Sequence, residues 1–93
     1  MKTQISCQDK YEAQKLSHLL FTEGNKDAYI SQILNVVDNE VVVSLKDKSA
    51  HSILFKSVQD VEMFADFLQS VLEKKHKIVE TKTINEKIEI VKE

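Results

Sequence analysis

The chain has 93 residues, with thirteen lysines and no arginine, and its 15 acidic residues leave a formal net charge of -2. Arginine forms the bidentate hydrogen bonds that read guanine in the DNA major groove, so its absence argues against sequence-specific DNA recognition. A net charge this small gives no strong field to attract polyanions or acidic membranes. The length predicts a single domain, residues 1–93, with a modest hydrophobic core.

The cysteine content and the N-terminal residues bear on location. A single cysteine, Cys7, excludes a disulfide bond within the chain. The N-terminal residues contain no apolar run that resembles a signal peptide, and uninterrupted apolar runs reach only three residues. Because a membrane-spanning helix needs about 20 apolar residues, the sequence predicts a cytoplasmic protein that makes no contact with membranes.

The first predicted element is a helix from about Cys7 to Glu23. Ser6 is the candidate N-cap, with Asp9 three residues later, and Gly24-Asn25 supplies a C-terminal stop. Four apolar residues recur at helical spacing and should form the buried stripe, namely Ala13, Leu16, Leu19 and Leu20.

Three strands are predicted to follow, over about 28–37, 40–46 and 51–56. Turn-forming residues separate them, at Asp38-Asn39 and at Asp47-Lys48-Ser49. Such short connections make neighbouring strands antiparallel.

Apolar residues alternate along the second and third of these strands. One face is predicted to carry Val41, Val43, Leu45, Ile53 and Phe55. Val42 and Leu54 then point to the opposite face, where a solvent-exposed sheet would show cleaner polar alternation. We therefore expect that face to be covered either by another element of the chain or by a second subunit.

The second helix is predicted from about Val58 to Lys75. Ser57 caps it, and Asp60 completes a capping box. Its apolar surface is wider than the stripe that one sheet covers, because of three further residues, namely Met63, Phe67 and Val71. A homodimer or partner interface would cover this excess, and the alternative is the first helix or the tail of the same chain.

The tail, residues 78–93, is rich in β-branched residues, which favours one or two strands with a bend near Asn85. A helix that begins near Thr83 is the alternative. The predicted fold is therefore a small α+β domain with an antiparallel sheet of three to four strands, two helices and the order α-β-β-β-α-β. Residues 76–93 could take part in assembly as a strand-forming tail, and no internal repeat is evident.

The order of one helix, three strands and a second helix resembles that of the double-stranded-RNA-binding domain. In that family a lysine-rich start of the second helix contacts phosphates. The matching stretch here, residues 57–62, is acidic, so the resemblance covers the order of elements and not the contact residues. We assign no family from it.

Reactive and metal-binding residue types are sparse. His18, His51 and His76 have no metal-ligand spacing, and Cys7 stands in no recognisable catalytic motif. A single glycine, Gly24, excludes glycine-rich phosphate loops. We therefore predict a protein that is not an enzyme, with no catalytic residues, cofactor or metal.

By elimination, the sequence predicts a small accessory or regulatory protein that acts by binding another protein and forms a homodimer. The candidate interface residues are Met63, Phe67, Val71, Val42 and Leu54. The alternative is weak nucleic-acid binding without sequence preference, through the basic residues Lys74, Lys75 and Lys77.

Overall fold

A computed structural model describes residues 2–20, 30–73, 75 and 78–92. Within these residues, two helices and two antiparallel sheets of three strands confirm the α+β class, with strand orders β1-β6-β5 and β2-β3-β4. The elements in chain order are β1 (Lys2–Ser6), α1 (Lys10–Leu20), β2 (Ile30–Val37), β3 (Glu40–Leu45), β4 (Ala50–Leu54), α2 (Val58–Leu72), β5 (Ile78–Ile84) and β6 (Lys87–Lys92).

The start of the chain differs from the prediction. Ser6 ends strand β1, which pairs with β6, so it is not a helix cap. Asp9 caps α1 instead, since its carboxylate accepts a hydrogen bond from the backbone N–H of Glu12 at 2.9 Å. The correct order is therefore β-α-β-β-β-α-β-β. The predicted C-terminal stop at Gly24-Asn25 lies outside the described residues.

Helix α2 begins as predicted and ends three residues early, at Leu72. The hydroxyl of Ser57 accepts a hydrogen bond from the backbone N–H of Asp60 at 3.3 Å and lies 2.6 Å from the Asp60 carboxylate. This is the expected capping box with an acidic residue in the first turn, which also complements the helix dipole.

The tail forms the strand hairpin β5–β6, as its β-branched composition favoured, and the helical alternative is wrong. Asn85 is in the left-handed region with φ 55°, and Asp38 has φ 52° at the matching place in the turn between β2 and β3. Asparagine and aspartate tolerate this conformation better than most residues, which fits both turns.

A short backbone bridge joins the two sheets. Cys7 and Phe55 lie opposite each other in an antiparallel bridge. On either side of it, the N–H of Gln8 donates to the carbonyl of Leu54 at 2.9 Å, and the N–H of Lys56 donates to the carbonyl of Ser6 at 3.1 Å. The end of β1 is thereby fastened to the end of β4.

The fold contains an internal repeat, which the sequence reading missed. A strand, a helix and a hairpin occur first as β1-α1-β2-β3 and again as β4-α2-β5-β6. A shift of 48 positions carries the cap Asp9 onto the cap Ser57 and the bridge residue Cys7 onto Phe55. The same shift carries the buried residues of α1 onto those of α2, namely Val61, Phe64, Phe67 and Leu68.

The two halves interlock through equivalent contacts. Strand β1 pairs with β6 of the second half, and β4 pairs with β3 of the first half in the same register. In each helix the third residue reaches across to the other half. The N–H of Ser6 donates to the Asp60 carboxylate at 3.0 Å, and the N–H of Leu54 donates to the Glu12 carboxylate at 3.2 Å. An approximate two-fold axis therefore runs near the central bridge.

The hairpins depart from this symmetry at one residue. Both outer strands have a bulge near their start, but β2 has a second register shift between Ile33 and Asn35 that β5 lacks. Leu34 is the extra residue, so positions after it correspond at a shift of 47 and not 48. Val37 at the end of β2 thus matches Ile84 at the end of β5.

Apolar side chains from both halves form a single core. Helix α1 packs on β5, β6 and β4, whereas α2 contacts β1 and β2. The rings of Phe55 and Phe64 lie with centroids 5.1 Å apart, where the first half has the smaller pair Cys7 and Leu16. Neither helix of the described residues is long and apolar enough to cross a membrane.

The approximate symmetry predicts that the chain can be permuted. Lys2 pairs with Val91, so the ends of β1 and β6 are adjacent. In the permutant, two glycines join Glu93 to Met1, which makes a four-residue loop of the same length as residues 46–49. Its new termini are created by opening the chain between Asp47 and Lys48. We expect cooperative folding, with a free energy of unfolding within about 2 kcal/mol of wild type in urea titrations.

A control opened inside β3, between Val42 and Val43, should not fold. A permutant that is unfolded would contradict the interlocked arrangement.

The cross-half contact of Asp60 predicts a stability loss. Asp60→Ala removes the carboxylate that serves both the Ser57 cap and the N–H of Ser6. We expect the free energy of unfolding to fall by about 2 kcal/mol, measured by urea denaturation. Asp66→Ala, at an exposed position of the same helix, should change it by less than about 0.5 kcal/mol. Equal effects of the two substitutions would show that the contact is not stabilising.

Candidate interaction surface

The predicted α2 interface residues do not share one environment. Phe67 is only 3% exposed and belongs to the core cluster, so the prediction that it needs a cover from outside is wrong. Its equivalent in the first half is Leu19, also buried, because both helices turn this position inward. Val71 is half-buried and packs against the core, and Met63 is 38% exposed. Met63 alone of these three offers substantial free apolar surface.

The predicted residues on the sheet keep the expected orientation. Val41 and Ile53 are fully buried, whereas Val42 and Leu54 are half-buried and point to the other face. Glu40 pairs with Leu54, so Val42 and Leu54 are diagonal neighbours on that face.

The basic cluster is described only at Lys75. Its ammonium group pairs with the Glu73 carboxylate at 3.0 Å. A hydrogen bond from Gln69 and the contact with Lys75 lower the pKa of Glu73 below its usual value, because both favour the ionised carboxylate. Lys74 and Lys77 lie outside the described residues.

Strand β2 carries three exposed apolar residues that the sequence analysis did not name as interface candidates, and two of them, Val36 opposite Val41 and Val37 opposite Glu40, project to opposite faces of the strand. Leu34, Val36 and Val37 are 48%, 46% and 52% exposed. We call these three residues the β2 patch. Strand β2 is an outer strand of its sheet, and among the described residues no strand pairs with its free side.

The equivalent outer strand of the second half is built differently. Strand β5 carries Glu80 and Lys82, where β2 has Gln32 and Asn35, and β2 itself contains no charged residue. Charges on an outer strand discourage pairing with another chain. The absence of charged residues in β2 is visible in the sequence. Only the repeat shows that β5 is the strand with which β2 should be compared.

Cys7, the one cysteine of the chain, is fully buried at the central bridge. Burial raises the pKa of its thiol to about 12, and the negative charges of Glu12, Asp60 and Asp9 add to this effect. The thiolate is the reactive form of cysteine, so the buried thiol is protonated and inert near neutral pH.

The turn from β3 to β4 brings Asp47, Ser49 and His51 together. The Ser49 hydroxyl lies 2.5 Å from the Asp47 carboxylate and 3.1 Å from Nε2 of His51. In a hydrolytic triad the carboxylate holds the imidazole, which acts as the base for the serine. Here the carboxylate contacts the hydroxyl and also accepts the backbone N–H of Ser49, which is the geometry of a turn.

Other concave or metal-binding features are weak. A shallow groove near the start of α1 is lined by residues of mixed charge and polarity, namely Gln8, Asp9, Lys10, Tyr11, Lys56, Asn85 and Glu86. Within residues 2–20, 30–73, 75 and 78–92, no group of three or more His, Cys, Asp or Glu side chains is arranged to hold a metal ion.

Comparison with known proteins gives no relative. No family model matches the chain, and no curated protein or solved structure matches it either.

The burial of Cys7 predicts a protected thiol. At pH 8 the native protein should react with a thiol reagent such as dithionitrobenzoate at least about 100-fold more slowly than protein unfolded in guanidinium, because the thiolate is scarce and inaccessible. Absorbance of the released thiolate measures both rates. Rapid reaction of the native protein would contradict the buried position.

The same thiol predicts a stability loss at alkaline pH. Its pKa is about 12 in the folded chain and about 9 when unfolded, so between these values the folded state binds more protons. The stabilisation is complete below pH 9 and declines as the pH rises from 9 toward 12. In urea titrations at pH 8 and 11, Cys7→Ala should lose less stability over this interval than wild type. An identical pH dependence for the two proteins would contradict the raised pKa.

Proposed function

We propose that this protein is a non-catalytic accessory or regulatory protein of the cytoplasm that acts by binding another protein. The observation that carries the proposal is the β2 patch, three exposed apolar residues along an uncharged outer strand whose free side pairs with no strand among the described residues. Strand edges are also a common docking place for partner chains.

The contrast between the two halves supports this proposal. The halves share backbone arrangement and core positions, so their outer strands have equivalent surroundings. Strand β5 carries Glu80 and Lys82, charges of the kind that protect an edge, and β2 has the uncharged Gln32 and Asn35 at the equivalent positions. Because the outer strands β2 and β5 otherwise correspond, the lack of charge on β2 indicates that this edge has a function.

The chemistry of the described residues also favours binding over catalysis. The thiol of Cys7 is protonated and buried, and the Asp47–Ser49–His51 cluster has the contacts of a turn. Nucleic-acid binding receives no comparable support, since only Lys75 of its three candidate residues is described and it forms an exposed ion pair with Glu73. A single cysteine that makes no disulfide fits the reducing cytoplasm.

A matched pair of substitutions tests this proposal. Val37→Lys places a charge in the β2 patch, and Ile84→Lys places it at the equivalent position of β5, where the exposed fraction is 42%. Immobilised wild type and Ile84→Lys should retain the same protein from a lysate of the source cell, and Val37→Lys should retain at least about tenfold less. Mass spectrometry quantifies the retained protein.

Circular dichroism should show that both variants are folded, since both positions are exposed. Retention by all three proteins to the same extent would exclude the β2 patch as the contact, and no specific retention by wild type would count against protein binding itself.

A further inference from the structure

We propose that two copies of this chain stack face to face through the side of the sheets opposite the core, in a symmetric dimer that pairs Glu40 of each copy with Lys87 of the other. We call this side the open face. The inference goes beyond the proposed function, which uses the free edge of β2, because it concerns a face of the sheets and a second copy of the chain.

Both sheets contribute to the open face. Successive residues of a strand point to opposite sides, and Val41 and Ile88 are fully buried, so their neighbours Glu40 and Lys87 point away from the core. Both helices contribute their buried residues to the core, on the other side of the sheets. Among the described elements, neither helix therefore covers the open face.

Apolar side chains lie beside both charged residues of the open face. Val37 is directly opposite Glu40 and is 52% exposed, and Ile84 is directly opposite Lys87 and is 42% exposed. Leu54, on the other side of Glu40, is half-buried. A contact on this face would remove apolar surface from water next to each charge, which stabilises association.

Charge complementarity favours a second copy as the occupant. Glu40 and Lys87 are equivalent residues of the two halves, because each begins the middle strand of its sheet. Their charges are opposite and both side chains are half-buried, yet neither forms an ion pair with a described residue. A second copy presents the opposite charge to each of them at the same separation, and this satisfies both at once.

The approximate symmetry of the chain allows both pairs to form together. The approximate two-fold axis near the central bridge relates Glu40 to Lys87. Two open faces can stack about a second two-fold axis that lies between them, perpendicular to the line from Glu40 to Lys87. Each Glu40 then lies over Lys87 of the other copy, and Val37 lies near Ile84 of the other copy. Such a contact is isologous, so association closes at two copies.

Charge exchange tests this pairing by sedimentation velocity from 10 μM to 1 mM. Wild type should shift with concentration from the mass of one chain, 10.7 kDa, toward twice that mass. Glu40→Lys and Lys87→Glu each bring like charges together in both pairs, so either variant alone should show a Kd raised at least tenfold. An equimolar mixture of the two variants should recover association, because one copy then carries lysine at both positions and the other carries glutamate at both.

Glu62→Lys is the matched control, since it makes the same change of charge at an exposed position of α2. It should alter Kd less than threefold. Circular dichroism shows whether each variant is folded. If a charge-reversed variant is unfolded, Glu40→Gln and Lys87→Gln replace the pair, and each should raise Kd at least threefold.

Two results overturn the inference. One is wild type that remains at one-chain mass at 1 mM, and the other is a mixture of the exchanged variants that associates no better than either variant alone. The proposed function fails by a separate measurement, which is equal retention of the lysate protein by wild type, Val37→Lys and Ile84→Lys.

Discussion

The central bridge between Cys7 and Phe55 is the constraint on which the rest of the structure depends. The hydrogen bonds around it fasten β1 to β4, and each of these strands then pairs with the hairpin of the other half. The carboxylates of Glu12 and Asp60 add matching contacts from the two helices. Because neither half completes its own sheet, the halves stabilise each other, and a short chain obtains one shared core.

Approximate symmetry also makes the differences between the halves informative. Residues at equivalent backbone positions of the two halves are under similar structural constraints, so a change from a charged to an uncharged residue between them has a local reason. In the core these changes conserve apolar character, as with Cys7 and Phe55. On the outer strands charge is not conserved, since the charged residues Glu80 and Lys82 of β5 correspond to the uncharged polar residues Gln32 and Asn35 of β2. That contrast connects the fold to the proposed binding function.

Local signals in the sequence were sufficient for most elements. The capping box at Ser57 and Asp60, the Asp38-Asn39 turn and the β-branched tail each predict the structure found there. Strand β1 was not predicted, because five residues with one buried side chain form too short a pattern to distinguish a strand from the start of a helix. The internal repeat was also missed, because equivalent positions are both buried but seldom carry the same residue type, as with Ala13 and Val61.

The sequence by itself determined the α+β class, the antiparallel hairpins and the sparse reactive chemistry, since these follow from residue types and short-range periodicity. The tertiary structure decided which apolar residues remain outside. Phe67 and Val37 are both apolar residues in regular elements, yet one is buried and the other is 52% exposed. Their exposure depends on which element packs over each of them, and that is fixed by contacts between residues far apart in the chain.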